Sequence, residues 1–169
     1  KIALGHTLDD QAETVLMRVL RGSGLLWLSG ILPKRDIGGV TVIRPLLGIK
    51  RREIESFLKA KRIIPRVDAS NLDEAYFRNR IRHKLLPGLE KYNSNIKEVL
   101  AASARNIALD YDYVSGSSLK TFKRLAKKTN NQRIIFPLDK FLKLHPAIRN
   151  MIFRYAYAGL KGDTRRLNF

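Results

Sequence analysis

The 169-residue chain contains no cysteine, which excludes disulfides and thiolate metal sites and agrees with a reducing, cytoplasmic setting. Long hydrophobic runs are missing as well: no apolar stretch approaches the ~20 residues of a membrane helix. Acidic residues are scarce, 15 against 33 Lys and Arg, for a net charge of +18 and a pI near 10.6. That imbalance points to a polyanionic partner such as nucleic acid. Apolar residues make up 44% of the chain, enough for a core.

The charge is unevenly spread. Residues 1–48 hold 6 Lys/Arg and 4 Asp/Glu, residues 49–100 hold 13 and 7, and residues 101–169 hold 14 and 4. Three acids of the first region, Asp9, Asp10 and Glu13, fall in one short stretch. A localised acidic site beside a broad basic surface is the expectation.

Ile2-Ala3-Leu4-Gly5 reads as a short buried strand. Because it starts directly after Lys1, further sequence is expected before it, and the tail at Asn168-Phe169 carries no terminating signal. Thr7 with Asp10 three residues on predicts a capped helix. The spacing of Ala12, Val15, Leu16, Val19 and Leu20 carries that helix to about Arg21, and Gly22-Ser23-Gly24 stops it. Leu25–Leu32 reads as helical or irregular, Pro33–Gly39 as a loop, and Val40–Ile43 as a β-branched strand. Lys50–Arg62 is predicted to be an amphipathic helix with Ile54, Phe57 and Leu58 inward. Ile63-Ile64-Pro65 reads as a short edge strand and Asp68–Asp73 as a polar turn.

A helix with the stripe Phe77, Ile81, Leu85 and Leu89 is expected to kink at Pro87. A long helix from about Asn95 to Lys128 follows, then a turn at Asn130-Asn131, a strand at Arg133–Phe136, a mixed segment, and a last helix opened by Pro146. Strands alternating with helices and then helices alone predict an α/β layer, with a parallel sheet, followed by a helical region. The domain expectation is 1–92 and 93–169.

Gly5-His6-Thr7-Leu8-Asp9-Asp10-Gln11-Ala12-Glu13-Thr14 places a histidine and three carboxylates at the end of a strand and the first turns of a helix. Ligands of open α/β sheets bind there, and a helix N-terminus welcomes phosphate. Asp10 and Glu13, and Asp9 and Glu13, share a helix face by spacing, so they can hold an ammonium or a metal beside phosphates. Acids in a first turn also merely complement the helix dipole, and Asp10 alone can be a cap. The loop Arg21-Gly22-Ser23-Gly24 leaves amides free for a phosphate or simply ends a helix. Arg78, Arg80, Arg82, His83 and Lys84 form a basic run that serves RNA or is a solvated face. Lys120, Lys123, Arg124, Lys127 and Lys128, at helical spacing, lie near Tyr111, Tyr113 and Phe122, which either stack on RNA or pack a core. His145 before Pro146 reads as structural.

Residues 5–24, GHTLDDQAETVLMRVLRGSG, resemble a block of the tRNA(Ile)-lysidine synthases. Arg44-Pro45-Leu46-Leu47 with Arg51-Arg52-Glu53, then Asp68-Ala69-Ser70-Asn71, then Arg78-Asn79-Arg80-Ile81-Arg82-His83 with Leu85-Leu86-Pro87, agree in order and spacing. Leu144-His145-Pro146 and Arg165-Arg166-Leu167 fit the family's tail domain. The resemblance implies part of an adenine-nucleotide-hydrolase-like (PP-loop) fold, a parallel sheet flanked by helices, followed by a helical tRNA-binding region. It implies an enzyme that uses ATP with Mg2+ to adenylate the wobble cytidine of tRNA(Ile) with a CAU anticodon. Free lysine then attacks the activated carbon.

By the same resemblance, Asp10 and Glu13 hold lysine and, with His6, carry catalysis, His6 lying near the ATP phosphates. Arg18, Arg21, Ser23, Arg44, Arg78, Arg80, Arg82, Lys123 and Lys127 are the residues expected to meet tRNA. The family's pyrophosphate loop is absent and expected upstream of Lys1; without it this piece is expected not to turn over ATP. Thr7, Ala69 and Trp27 depart from the family, Trp27 standing where a small residue is common. A homodimer is left open. A tRNA thiolation enzyme, or a non-catalytic RNA-binding module, are the other readings of the same residues.

Overall fold

The strand read at Ile2–Leu4 needs a partner for its amides, and it finds one 40 residues on. In the structure, a computed structural model that describes residues 1–66, 73, 75–130 and 133–162, β1 (Ile2–Ala3) pairs parallel with β3 (Val40–Ile43), Ile2 opposite Val42. Leu4 N–H extends the ladder to the Ile43 carbonyl at 2.9 Å. The β-branched run of β3 suits this central position.

The segment expected as a loop is instead β2 (Lys34–Ile37), antiparallel to β3. The sheet order is therefore β1-β3-β2, and the sheet is mixed. Every residue of β2 is exposed, so no apolar alternation advertises the strand. Its register is fixed by the turn: Gly38 and Gly39 have φ of 55° and 80°, the left-handed pair a two-residue hairpin demands. The Thr41 hydroxyl adds a bond to Asp36 Oδ1 at 2.6 Å.

Helix α1 (Leu8–Leu20) begins with the predicted reciprocal cap. Asp10 N–H donates to Thr7 Oγ1, while Thr7 N–H donates to Asp10 Oδ2 at 2.8 Å. Its buried face includes Leu8, Ala12, Val15 and Leu16, and Ala12 and Leu16 pack with Ile81 and Leu86. A short helix, α2 (Leu25–Leu28), follows. In α3 (Arg51–Ala60), Ile54 and Leu58 are half-buried, but Phe57, expected inward, is 59% exposed.

Ile63-Ile64-Pro65 forms no strand. Arg62 adopts a left-handed conformation, φ 57°, and Ile63 N–H turns back to the Leu58 carbonyl at 2.9 Å. That bond closes the helix end and leaves Ile64 exposed. The turn expected at Asp68–Asp73, the motif Asp68-Ala69-Ser70-Asn71, Asn131, and Arg165-Arg166-Leu167 lie wholly or largely outside the described residues.

The stripe around Phe77 builds α4 (Phe77–Arg80), a π turn at Ile81–Leu85, and α5 (Leu86–Glu90). Proline has no N–H to continue an α ladder. Just before Pro87 the helix widens, and Leu86 N–H bonds the Ile81 carbonyl five residues back. Helix α6 (Ile96–Leu125) is tied to its neighbours by Lys97, 3.0 Å from both Asp9 and Glu90, and by the Lys50–Glu98 pair.

The chain divides into two compact units, Lys1–Ala108 and Leu109–Phe169, the division falling within α6. In the second, α6 ends at Leu125, three residues short of the expectation. Lys127 consequently lies on β4 (Lys127–Asn130), antiparallel to β5 (Arg133–Ile135), and not on the helix. Helices α7 (Leu138–Leu142) and α8 (Pro146–Lys161) complete it. Half-buried Phe122 packs at 6.1 Å from Phe136 and 5.9 Å from Tyr155. His145 caps α8, its Nδ1 accepting from Ala147 N–H at 3.2 Å.

Candidate functional site

The Thr7 cap fixes the first turns of α1, and 3.6-residue periodicity then brings Asp10 and Glu13 to one side. The two carboxylates do converge. What fills the space between them is arginine. Arg78 donates from Nε to Glu13 at 2.7 Å and from Nη2 to Asp10 at 2.8 Å. Arg82 donates from Nε and Nη2 to Glu13 at 2.6 and 3.0 Å. Glu13 is 1% exposed, a burial only a paired carboxylate tolerates. The hydrogen bond to Glu13 holds the Arg82 guanidinium even more firmly protonated than usual.

Arg78 and Arg82, expected to serve RNA or a solvated face, instead turn both guanidinium groups onto α1. Arg80 is exposed, stacked 5.5 Å from the Phe77 ring, with Arg21 5.8 Å from the same ring. Ser23 is half-buried, and Lys123 and Lys127 are exposed. Asp9 is separate from the Asp10–Glu13 pair. Burial pushes its carboxyl up, but the Arg51 amide and Lys97 outweigh burial and hold it below the ordinary carboxylate range. Among the described residues no cluster of three His, Asp or Glu could hold a metal ion. With all three acids paired to cations, this set does not fit Mg2+.

A second locus adjoins the first. His6, Arg18, Arg44 and Arg78 line a pocket of about 330 Å³ together with Trp27 and Arg35. His6 Nδ1 and Arg44 Nε are buried there without a hydrogen-bond partner among the described residues. Arg18 donates from Nη1 to the carbonyls of Trp27 and Gly30, the latter at 2.7 Å, and lies 5.5 Å from the indole. Its side chain therefore anchors the α2 loop. Burial, and then the like charge of Arg35, pull the Arg18 guanidinium below its usual value. The loop is also held by buried Gln11, which accepts from Ile31 N–H at 2.6 Å. The sequence reading assigned no role to Gln11, an uncharged residue inside the Gly5–Thr14 motif, or to Arg35, which lies in a stretch read as a loop.

Residues 1–89 match the PP-loop domain family. The chain belongs to that family. Similarity runs past the PP-loop domain into the second unit. The chain is 39% identical over 97% of its length to a tRNA(Ile)-lysidine synthase of Clostridioides difficile (strain 630). It is 37% identical over all of its length to one from Caldanaerobacter subterraneus subsp. tengcongensis, and 39% identical over 99% to one from Geobacter sulfurreducens. The chain spans about a third, 35%, of the length of each. Beyond the PP-loop domain, the C-terminal region of the chain is mainly helical. Among the described residues no helix is long and apolar enough to cross a membrane.

Proposed function

We propose that this chain is part of an enzyme that catalyses the tRNA(Ile)-lysidine synthase reaction. ATP adenylates the base carbonyl oxygen of the wobble cytidine in the CAU anticodon, releasing pyrophosphate. A lysine amine then attacks carbon 2; the C–N bond forms as the C–O bond to AMP breaks. One observation carries this reading over another PP-loop enzyme or a binding module: the similarity to three such synthases covers 97% or more of the chain, whereas the PP-loop match stops at residue 89.

In this reading the Asp10–Glu13 locus receives lysine. Asp10 remains 20% exposed at its side chain, and its carboxylate accepts the incoming ammonium. Glu13, buried against Arg78 and Arg82, orients those arginines beside it. A carboxylate near the amine can also take its proton before attack. His6 faces the ATP phosphates. Arg21, Ser23, Arg44, Arg80, Lys123 and Lys127 meet the tRNA backbone, and the strongly basic region 93–169 serves as the tRNA-binding domain.

The test is lysine-dependent AMP release from ATP and tRNA(Ile) by the intact protein. Asp10→Asn should raise the lysine requirement roughly tenfold, the size of one charge-assisted hydrogen bond, with tRNA affinity unchanged within about twofold. AMP release that ignores lysine would refute the reaction; unchanged lysine kinetics in the variant would refute the site.

A further inference from the structure

We propose that Arg21 and Arg80, both stacked on Phe77, form a clamp for the backbone of an RNA strand. Each guanidinium meets its own phosphate, and Phe77 is the positioning residue that holds the two ready. This deepens the reading above and rests on it for the choice of tRNA among polyanions.

The cluster joins two stretches distant in sequence. Phe77 opens α4, and Arg80, three residues on, stands one turn away on the same side. Arg21 follows the last turn of α1, where Gly22, φ 66°, ends the helix. Phe77 is half-buried and packs against the cluster of Ala12, Leu16, Ile81 and Leu86. Its ring therefore lies within reach of the end of α1, and both guanidinium groups settle on it, Arg21 at 5.8 Å and Arg80 at 5.5 Å from the centroid.

The charge gathered there is uncompensated. Arg78 and Arg82, from the same basic run, spend their donors on Asp10 and Glu13, and Arg18 spends its own on two backbone carbonyls. Among the described residues the side chains of Arg21 and Arg80 make no ion pair and no hydrogen bond, and both are exposed. A stacked guanidinium uses only its face; its N–H donors lie in its plane and stay open to a phosphate. Two like charges at one ring repel, and an anion between them relieves this. In a chain of net charge +18 that anion is a polyanion. An exposed arginine ordinarily loses rotamer freedom when it binds. Phe77 restricts both beforehand, which favours binding by about two- to tenfold for each.

The test titrates the intact protein with a tRNA(Ile) transcript, followed by fluorescence anisotropy, at salt from about 50 to 200 mM. Arg21→Gln and Arg80→Gln should each reduce the slope of log K against log salt by about 0.7–0.9, and together by about twice that. Phe77→Leu keeps an apolar side chain against the core and leaves the charge intact. It should weaken binding at least about fivefold with the slope unchanged. Phe77→Tyr, which restores a ring, should bind within about twofold of wild type. Arg21 and Arg80 are exposed, so their variants keep the fold and decide the matter if Phe77→Leu is unstable. Phe77→Leu folded and binding like wild type, Phe77→Tyr as weak as Phe77→Leu, or the double arginine variant with the wild-type slope overturns the proposal. Lysine-dependent AMP release is measured separately on the wild type. Weakened tRNA binding in the variants, with no lysine dependence in the wild type, would spare the clamp and sink only the ligase reading.

Discussion

Replacing Glu13 by glutamine removes a buried anion that two arginines share. Its oxygens accept bonds of 2.7, 2.6 and 3.0 Å from Arg78 and Arg82, each a charge-assisted contact of about 1.5–3 kcal/mol. The sum is an upper bound. Glutamine keeps one acceptor oxygen, Asp10 still lies 2.8 Å from Arg78 and 3.5 Å from Arg82, and Arg78 is 38% exposed, so water screens part of its loss. Against that, the new NH2 group faces guanidinium N–H donors with no room to turn away. Breaking a buried pair by removing one partner costs about 3–5 kcal/mol, and the residual pairing places this case near 3 kcal/mol. At about 2–4 °C per kcal/mol for a chain of this size, the melting temperature should fall by about 6–12 °C. Thermal denaturation followed by circular dichroism reads this directly. A double-mutant cycle with Arg82→Gln should give a coupling of at least about 1 kcal/mol. A melting temperature within about 2 °C of wild type would refute the anchoring role of Glu13.

Gly30→Ala should destabilise the chain by more than about 1 kcal/mol, because Gly30 has φ 68° and an added Cβ would lie 2.6 Å from buried Gln11 Nε2; a urea midpoint unchanged from wild type would contradict this. The Asp9–Lys97 link predicts acid sensitivity. Because the folded Asp9 is held below the ordinary carboxylate range, its contribution is present above the unfolded value of about 3.9 and is lost as pH falls through the folded one. Between about pH 6 and 3, wild type should therefore lose more melting temperature than Asp9→Asn, and parallel curves would remove Asp9 from the account.

The elements that carry their own local signal were legible without coordinates. Thr7 and Asp10 announce a reciprocal cap, the 3.6-residue stripe of α1 its buried face, Pro146 the start of α8, and Pro87 a break in the helix before it. β2 was not legible, because Lys34-Arg35-Asp36-Ile37 buries nothing; it is a strand only because Gly38-Gly39 folds it back on β3. Phe57 misled for the converse reason, since periodicity says which residues share a face but not whether anything covers that face.

The acid cluster shows the same division. Sequence by itself determined that Asp10 and Glu13 converge, and that Arg78 and Arg82 lie one turn apart, because helical geometry is local. That these two pairs face each other, and that Trp27, Arg35, Arg44 and His6 share a pocket, was decided only by the packing of segments distant in sequence, 68 residues apart for Asp10 and Arg78. Residue spacing encodes direction around one helix; it does not encode which helix lies opposite.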